Sequence, residues 1–203
     1  MTPDNGGTDP GDHMDEVAAI HNVLEMTGRV VDHIEPTQLD DPTPCTEWTV
    51  RDVLNHVIGG ATMFGICVRD GAVPDEKFGE LMMGDNLGSD FKASFHRATD
   101  DAEAAFALPG AMDRIVKLPF GEMPAGAAVN IAIFDVATHA WDLAKATGQS
   151  TDLDPEVIGV AYQVAQNMLS DDLRNAGLFA PAIPVADDAP AADRLAALAG
   201  RAP

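Results

Sequence analysis

The chain has 203 residues, 33 acidic against 12 basic, a net charge of −21 and 46% hydrophobic residues. That length suffices for one domain with a sizeable core. The acidity repels phosphate backbones and anionic lipid surfaces, which excludes nucleic acid and membrane as expected partners.

Residues 1–12 are rich in Gly, Pro and Asp and read as a flexible leader, with 13–203 expected to form a single domain that includes a C-terminal extension. The first segment lacks the basic and apolar regions of a secretory signal, and no apolar run is long enough to span a bilayer. From Met14 to about Ile34, Val17, Ile20, Leu24, Val31 and Ile34 share a helical stripe. Asp15 and Glu16 suit its positive end. Prolines in EPTQLDDPTPCTEW then break the pattern, and Leu39 is expected as an inward anchor. Thr49 and Asp52 form a capping-box pattern that opens a second helix, with Gly71 as its stop and Trp48 packed over its entrance. Val53, His56, Val57, Gly60 and Met63 approximate one side of it, and Gly59 and Gly60 should admit a close neighbour.

Residues 71–89 hold too many Gly and Pro for a long helix, and their Phe78, Leu81, Met82 and Met83 are assigned to core packing. Ser89 is placed as the cap of a third helix that turns Phe91, Phe95, Ala98 and Ala102 inward and ends near Pro109-Gly110. Ile115, Val116 and Leu118 suggest a short extended segment with a turn at Phe120-Gly121. Pro124 suits the first turn of a long, mostly buried helix that stops at Gly148. Pro155 opens the last bundle-sized helix, Phe179, Ile183 and Val185 should tie the tail down, and Ala191–Ala199 can form a short terminal helix. The predicted architecture is all-α: a four-helix bundle with an additional helical or irregular C-terminal extension.

Two segments carry chemistry. PCTEWTVRDVLNHVIGG puts His56 in the second helix, and FDVATHAWDL puts Asp135 and His139 four residues apart on one helical face. Two imidazoles and a carboxylate suffice for a divalent ion and leave a coordination position for water or substrate. Zn²⁺ is the first choice, with Ni²⁺, Fe²⁺ and Mn²⁺ open. The plainer reading is a buried carboxylate–imidazole network, although a carboxylate among AVNIAIF and VATHAW is costly to bury without a partner. Asp142 could orient the unused nitrogen of His139 or pair with Arg51, and Asp52 could assist His56 but serves more economically as a helix cap. Cys45 and Cys67 match no zinc-ribbon spacing and no disulfide framework, so reduced thiols in a cytoplasmic protein are expected, with Cys45 structural. No HExxH, phosphate loop, dinucleotide turn or GxSxG occurs.

TPCTEWTVRDVLNHVIGG and HAWDLAKATG resemble segments of actinobacterial DinB-like metal-binding proteins, and of the N-terminal domain of mycothiol-dependent maleylpyruvate isomerases. The resemblance spans most of residues 14–200 and implies a DinB/YfiT-like bundle. It implies a metal held by a histidine of the second helix and an acidic-xxx-His pair on a later one, hence His56, Asp135 and His139. It also implies mycothiol as a cofactor, a small-molecule or thiol substrate, and homodimers. Asp135 stands where the isomerase has Glu, and the isomerase's separate C-terminal domain has no counterpart expected here. The implied function is a mycothiol-dependent isomerase or thiol transferase-like enzyme. A noncatalytic metal-dependent binding or sensing protein and a metal-free structural protein remain as alternatives.

Overall fold

The apolar stripes close into the expected all-α architecture, in a computed structural model that describes residues 10–118, 121–170, 174 and 180–203. In chain order the elements are α1 (Pro10–Asp32), α2 (Val50–Asp70), α3 (Asp75–Met83), α4 (Phe91–Phe106), β1 (Ile115–Leu118), β2 (Gly121–Pro124), α5 (Ala125–Ala146), α6 (Pro155–Met168) and α7 (Ala191–Leu198). Helices α1, α2, α4 and α5 form the bundle: α2 packs chiefly on α4, α1 on α5, and α2 also on α5. The strands pair antiparallel as a small hairpin, Ile115 opposite Pro124 and Leu118 opposite Gly121, beside α2 and α5. Helices α6 and α7 pack on each other and on α5, which makes α5 the central element.

The residue pattern of α5 suits that place. Ala128, Ala132, Ala137, Ala140 and Ala144 let neighbours approach closely, while Ile133, Trp141 and Leu143 fill the space between. Each fully buried large aliphatic side chain contributes about 1.5–3 kcal/mol through water release. Trp141 is buried outright, and its indole Nε1 donates to Asp193 of α7 at 2.8 Å, which satisfies its one polar atom. The predicted capping box is present: Thr49 Oγ1 accepts from Asp52 N, and the Asp52 carboxylate accepts from Thr49 N. Asp52 thereby completes the box as its N3 partner, and this hydrogen bonding with Thr49 holds its pKa below the usual carboxylate value. Gly71 ends α2 in the left-handed region at φ 90°, where a side chain would be strained.

Several local expectations change. The 71–89 connection contains the nine-residue α3, in which Leu81 is buried but Met83 is 89% exposed. Asp90, not Ser89, caps α4, because its side chain accepts from Ala93 N. Only one of the paired glycines of α2 admits a close neighbour: a Cβ on Gly59 would meet the Leu81 carbonyl oxygen at 2.3 Å, whereas one on Gly60 would meet nothing within 4 Å. Ile183 is half-buried and its backbone N–H bonds Ala197, while Val185 is 36% exposed. The proposed anchor Phe179 and turn residue Phe120 lie outside the described residues, as do residues 1–9 of the predicted leader. Among the described residues no helix is long and apolar enough to cross a membrane.

Candidate metal centre

The contact of α2 with α5 brings His56 against Asp135, 79 positions later in the chain. His56 Nε2 lies 3.1 and 3.2 Å from the two carboxylate oxygens. Asp135 and His139 stand one helical turn apart, and His139 Nε2 is 3.6 Å from Asp135 Oδ1. The three groups therefore converge, with ligand atoms all within 4.8 Å of one another. The site is graded in exposure: the His56 and Asp135 side chains are 30% and 31% exposed, His139 only 7%. One side of the group can meet solvent or a small molecule while the other is sealed in the bundle.

Trp48 seals it from the loop before α2. Its indole stacks on the His139 ring at 5.6 Å and lies tilted against His56 at 5.0 Å. The expected packing role at the helix entrance thus extends to both imidazoles. Glu47, just before it, adopts φ 72°, a left-handed conformation uncommon for a residue with a side chain.

Behind His139 sits Asp142, buried without exposure, its Oδ2 at 3.0 Å from His139 Nδ1. Arg201 donates to the same carboxylate, Nη2 to Oδ2 at 3.1 Å and Nε to Oδ1 at 3.4 Å. A carboxylate so paired accepts only, so His139 Nδ1 carries a proton donated to Asp142, which turns Nε2 toward Asp135. This is the arrangement that second-sphere carboxylates impose on metal-binding histidines. Asp142 thus contacts both His139 and Arg201. Its cation is Arg201, not Arg51, which pairs with Asp40.

The electrostatics follow from this packing. Burial pushes the Asp135 carboxyl up, but His56, His139 and Arg201 together outweigh it and hold it at about 2. Burial pushes the His56 imidazole down, and the charge and hydrogen bond of Asp135 reverse that, leaving it above its ordinary value. Asp135 is thus a carboxylate across the physiological range.

A second group of potential ligand atoms shares His139: Cys45, His139 and Asp142. It makes a poorer cation cradle. Asp142 is already held by a guanidinium, which would repel a cation bound there. Burial also pushes the Cys45 thiol up, so the thiolate that a metal requires is disfavoured. Sequence reasoning missed that Cys45 stands beside His139, since the two are joined only by the loop fold. Arg201 gave no local signal at all. Beside Asp135 a tight apolar crevice with only about 10 Å³ of free space lies between Leu24, Val57, Phe64 and Ala132, with Gly60 on its wall.

The family model for the mycothiol maleylpyruvate isomerase N-terminal domain matches residues 20–144, a span that contains His56, Asp135, His139 and Asp142. The chain belongs to this DinB-like family. It is 36% identical over 189 residues to the uncharacterized proteins Rv0738 and MT0763 of two Mycobacterium tuberculosis strains, H37Rv and CDC 1551, covering 93% of this chain and 98% of each relative. Among solved structures it is similar to mycothiol-dependent maleylpyruvate isomerase, with TM-score 0.64 and 13% identity over 81% of this chain and 72% of the other. A point variant of that isomerase gives TM-score 0.65 and 14% identity at the same coverage. These two likenesses establish the shared fold.

Proposed function

We propose that this protein binds one divalent metal ion through His56, Asp135 and His139, Zn²⁺ first among the candidates, and uses it in a mycothiol-dependent isomerase or thiol-transferase reaction on a small molecule. The observation that carries the reading is the convergence of two imidazoles and a carboxylate, with His139 Nε2 turned into the group. The donor set fits: mixed nitrogen and oxygen ligands suit Zn²⁺, Ni²⁺, Fe²⁺ or Mn²⁺, and three protein ligands leave a position open. When bound, such an ion supplies Lewis-acid stabilisation of a thiolate or a developing oxyanion. The chain's own residues do the rest. Asp135 offers a permanent negative charge, His139 is held in one tautomer by Asp142, and Trp48 shields both rings from water on the loop side.

One observation favours the second reading, a metal-dependent binding or sensing protein. Among the described residues of the site, every carboxylate and imidazole is paired with another or with Arg201, so none stands ready as a separate general acid. Elemental analysis of protein purified without added metal should find about one ion per chain. Assays with mycothiol, maleylpyruvate and electrophilic thiol acceptors then separate the readings: turnover abolished by His56→Ala in a folded protein supports the enzyme. Tight ligand binding without turnover supports the sensor, and metal-free native protein of full stability removes both. In the same proposal residues 13–203 act as one domain in the cytoplasm, and copies pair through the Met- and Phe-bearing α3 region, where Met83 is exposed. Sedimentation only as monomer at micromolar concentration would remove the pairing.

A further inference from the structure

Asp142 is a carboxylate with no solvent exposure on the central helix, and an unpaired charge there would be strongly destabilising. Its cation comes from 59 positions further along the chain. The route is defined by the end of α7. Gly200 N–H bonds Ala197 O at 3.0 Å and Arg201 N–H bonds Ala196 O at 2.9 Å, the paired bonds of a Schellman termination. Gly200 adopts φ 85°, which suits glycine, and a Cβ there would approach Ala180 Cβ to 2.6 Å. This turn sends the Arg201 side chain back into the protein, only 16% exposed, where Nη1 donates to Ala199 O at 3.0 Å while Nη2 and Nε grip Asp142. Asp193 of α7 holds Trp141 through the indole N–H. Consecutive residues of α5 are thus both fastened by the C-terminal element, directly behind His139.

We propose that Arg201 is a positioning residue of the metal centre: by fixing Asp142 it fixes the ring orientation and tautomer of His139, so that Nε2 faces Asp135. The inference rests on the reading of His139 as a ligand. It makes the C-terminal segment part of the site, although it lies beyond the family-matched span 20–144.

The test uses the full chain with Arg201→Met, which keeps an apolar stem and removes the donors, and Arg201→Lys, which keeps the charge but not the fork. Helical circular dichroism establishes folding. Ring ¹⁵N shifts of the metal-free protein report the His139 tautomer, and chelator competition reports Zn²⁺ affinity. Wild type should show a single Nδ1–H tautomer. Arg201→Met should lose it and bind Zn²⁺ about tenfold more weakly, in the range of lost second-sphere contacts. Arg201→Lys should give an intermediate loss. If the Met variant does not fold, the Lys variant carries the test, and no loss in it overturns the proposal. A folded Met variant with an unchanged tautomer and affinity also overturns the proposal while leaving the metal reading standing. If wild type takes up no Zn²⁺ yet Arg201→Met still disturbs the tautomer, the ligand reading falls and the positioning role stands.

Discussion

Between α1 and α4, His21 Nδ1 lies 3.1 Å from Glu103 and His96 Nε2 lies 2.8 Å from Asp32, with these side chains 31–51% exposed. Between α2 and α5, His56, Asp135, His139 and Asp142 make contacts of 3.0–3.6 Å, with side chains 0–31% exposed. By distance alone the outer pairs are as good as the inner ones. The difference lies in convergence and desolvation. The outer pairs line an open groove as two separate couples, where water and salt screen each charge and a pair is worth about 0–1 kcal/mol. The inner groups share partners, so each carboxylate is fixed by two cationic or hydrogen-bonding neighbours, and the lower local dielectric strengthens every contact. Histidine–carboxylate proximity alone does not make a ligand set, whereas the inner groups bring several potential ligand atoms within reach of one ion.

The largest expected contrast is in metal content. His139→Ala should take the protein from about one ion per chain to background, whereas His96→Ala should leave it unchanged, both read by elemental analysis. Equal loss in the two would erase the distinction between the regions. Next, Asp135→Asn removes the anionic ligand but keeps one oxygen, and helix propensity hardly changes. Chelator competition should show a drop beyond the roughly 10–100-fold typical of lost second-sphere contacts, with Asp135→Glu retaining more affinity than Asn. Equal affinity in wild type and Asn would mean that Asp135 is no charge-bearing ligand.

The inner network should also print a pH signature on the metal-free protein. The folded-state pKa of Asp135 is depressed to about 2, so its stabilisation is complete above the ordinary value of about 3.9 and is lost as pH falls towards 2. His56 is raised, so its contribution is complete below about 6.5 and is lost as pH rises through the folded value. Thermal melts in chelator should therefore show this pair's contribution greatest between those limits, and Asp135→Asn should flatten both flanks. Metal uptake runs the opposite way at the upper flank, strengthening as His56 loses its proton. The smallest effect belongs to the groove: Asp32→Asn should cost under about 1 kcal/mol in chemical denaturation, and high salt should erase even that.

What could be read in the chain before folding was whatever is written over one or two helical turns. The capping box at Thr49 and Asp52, the stop at Gly71, the hairpin segment at Ile115–Leu118 and the i,i+4 pair Asp135–His139 are all local geometry. Residues 71–89 were harder, because Pro and Gly mask the short α3, whose only buried side chain is Leu81. The meeting of His56 with Asp135 was one possibility offered by residue types and became an assignment only through resemblance, since periodicity places a residue on a face without saying which helix covers it.

Gly59 and Gly60 show the same limit from the other side. Adjacent in sequence and identical in chemistry, one is required by the Leu81 carbonyl and the other borders the apolar crevice. The helices, their caps and the residue types able to hold a cation are therefore readable along the chain, because those depend on neighbours within about four positions. Packing alone puts Trp48 and Cys45 beside His139 and Arg201 on Asp142. Such contacts arise when α7 and the loop before α2 close over α5, and what selects them is burial of apolar surface with every enclosed charge paired, a condition on the whole packed molecule.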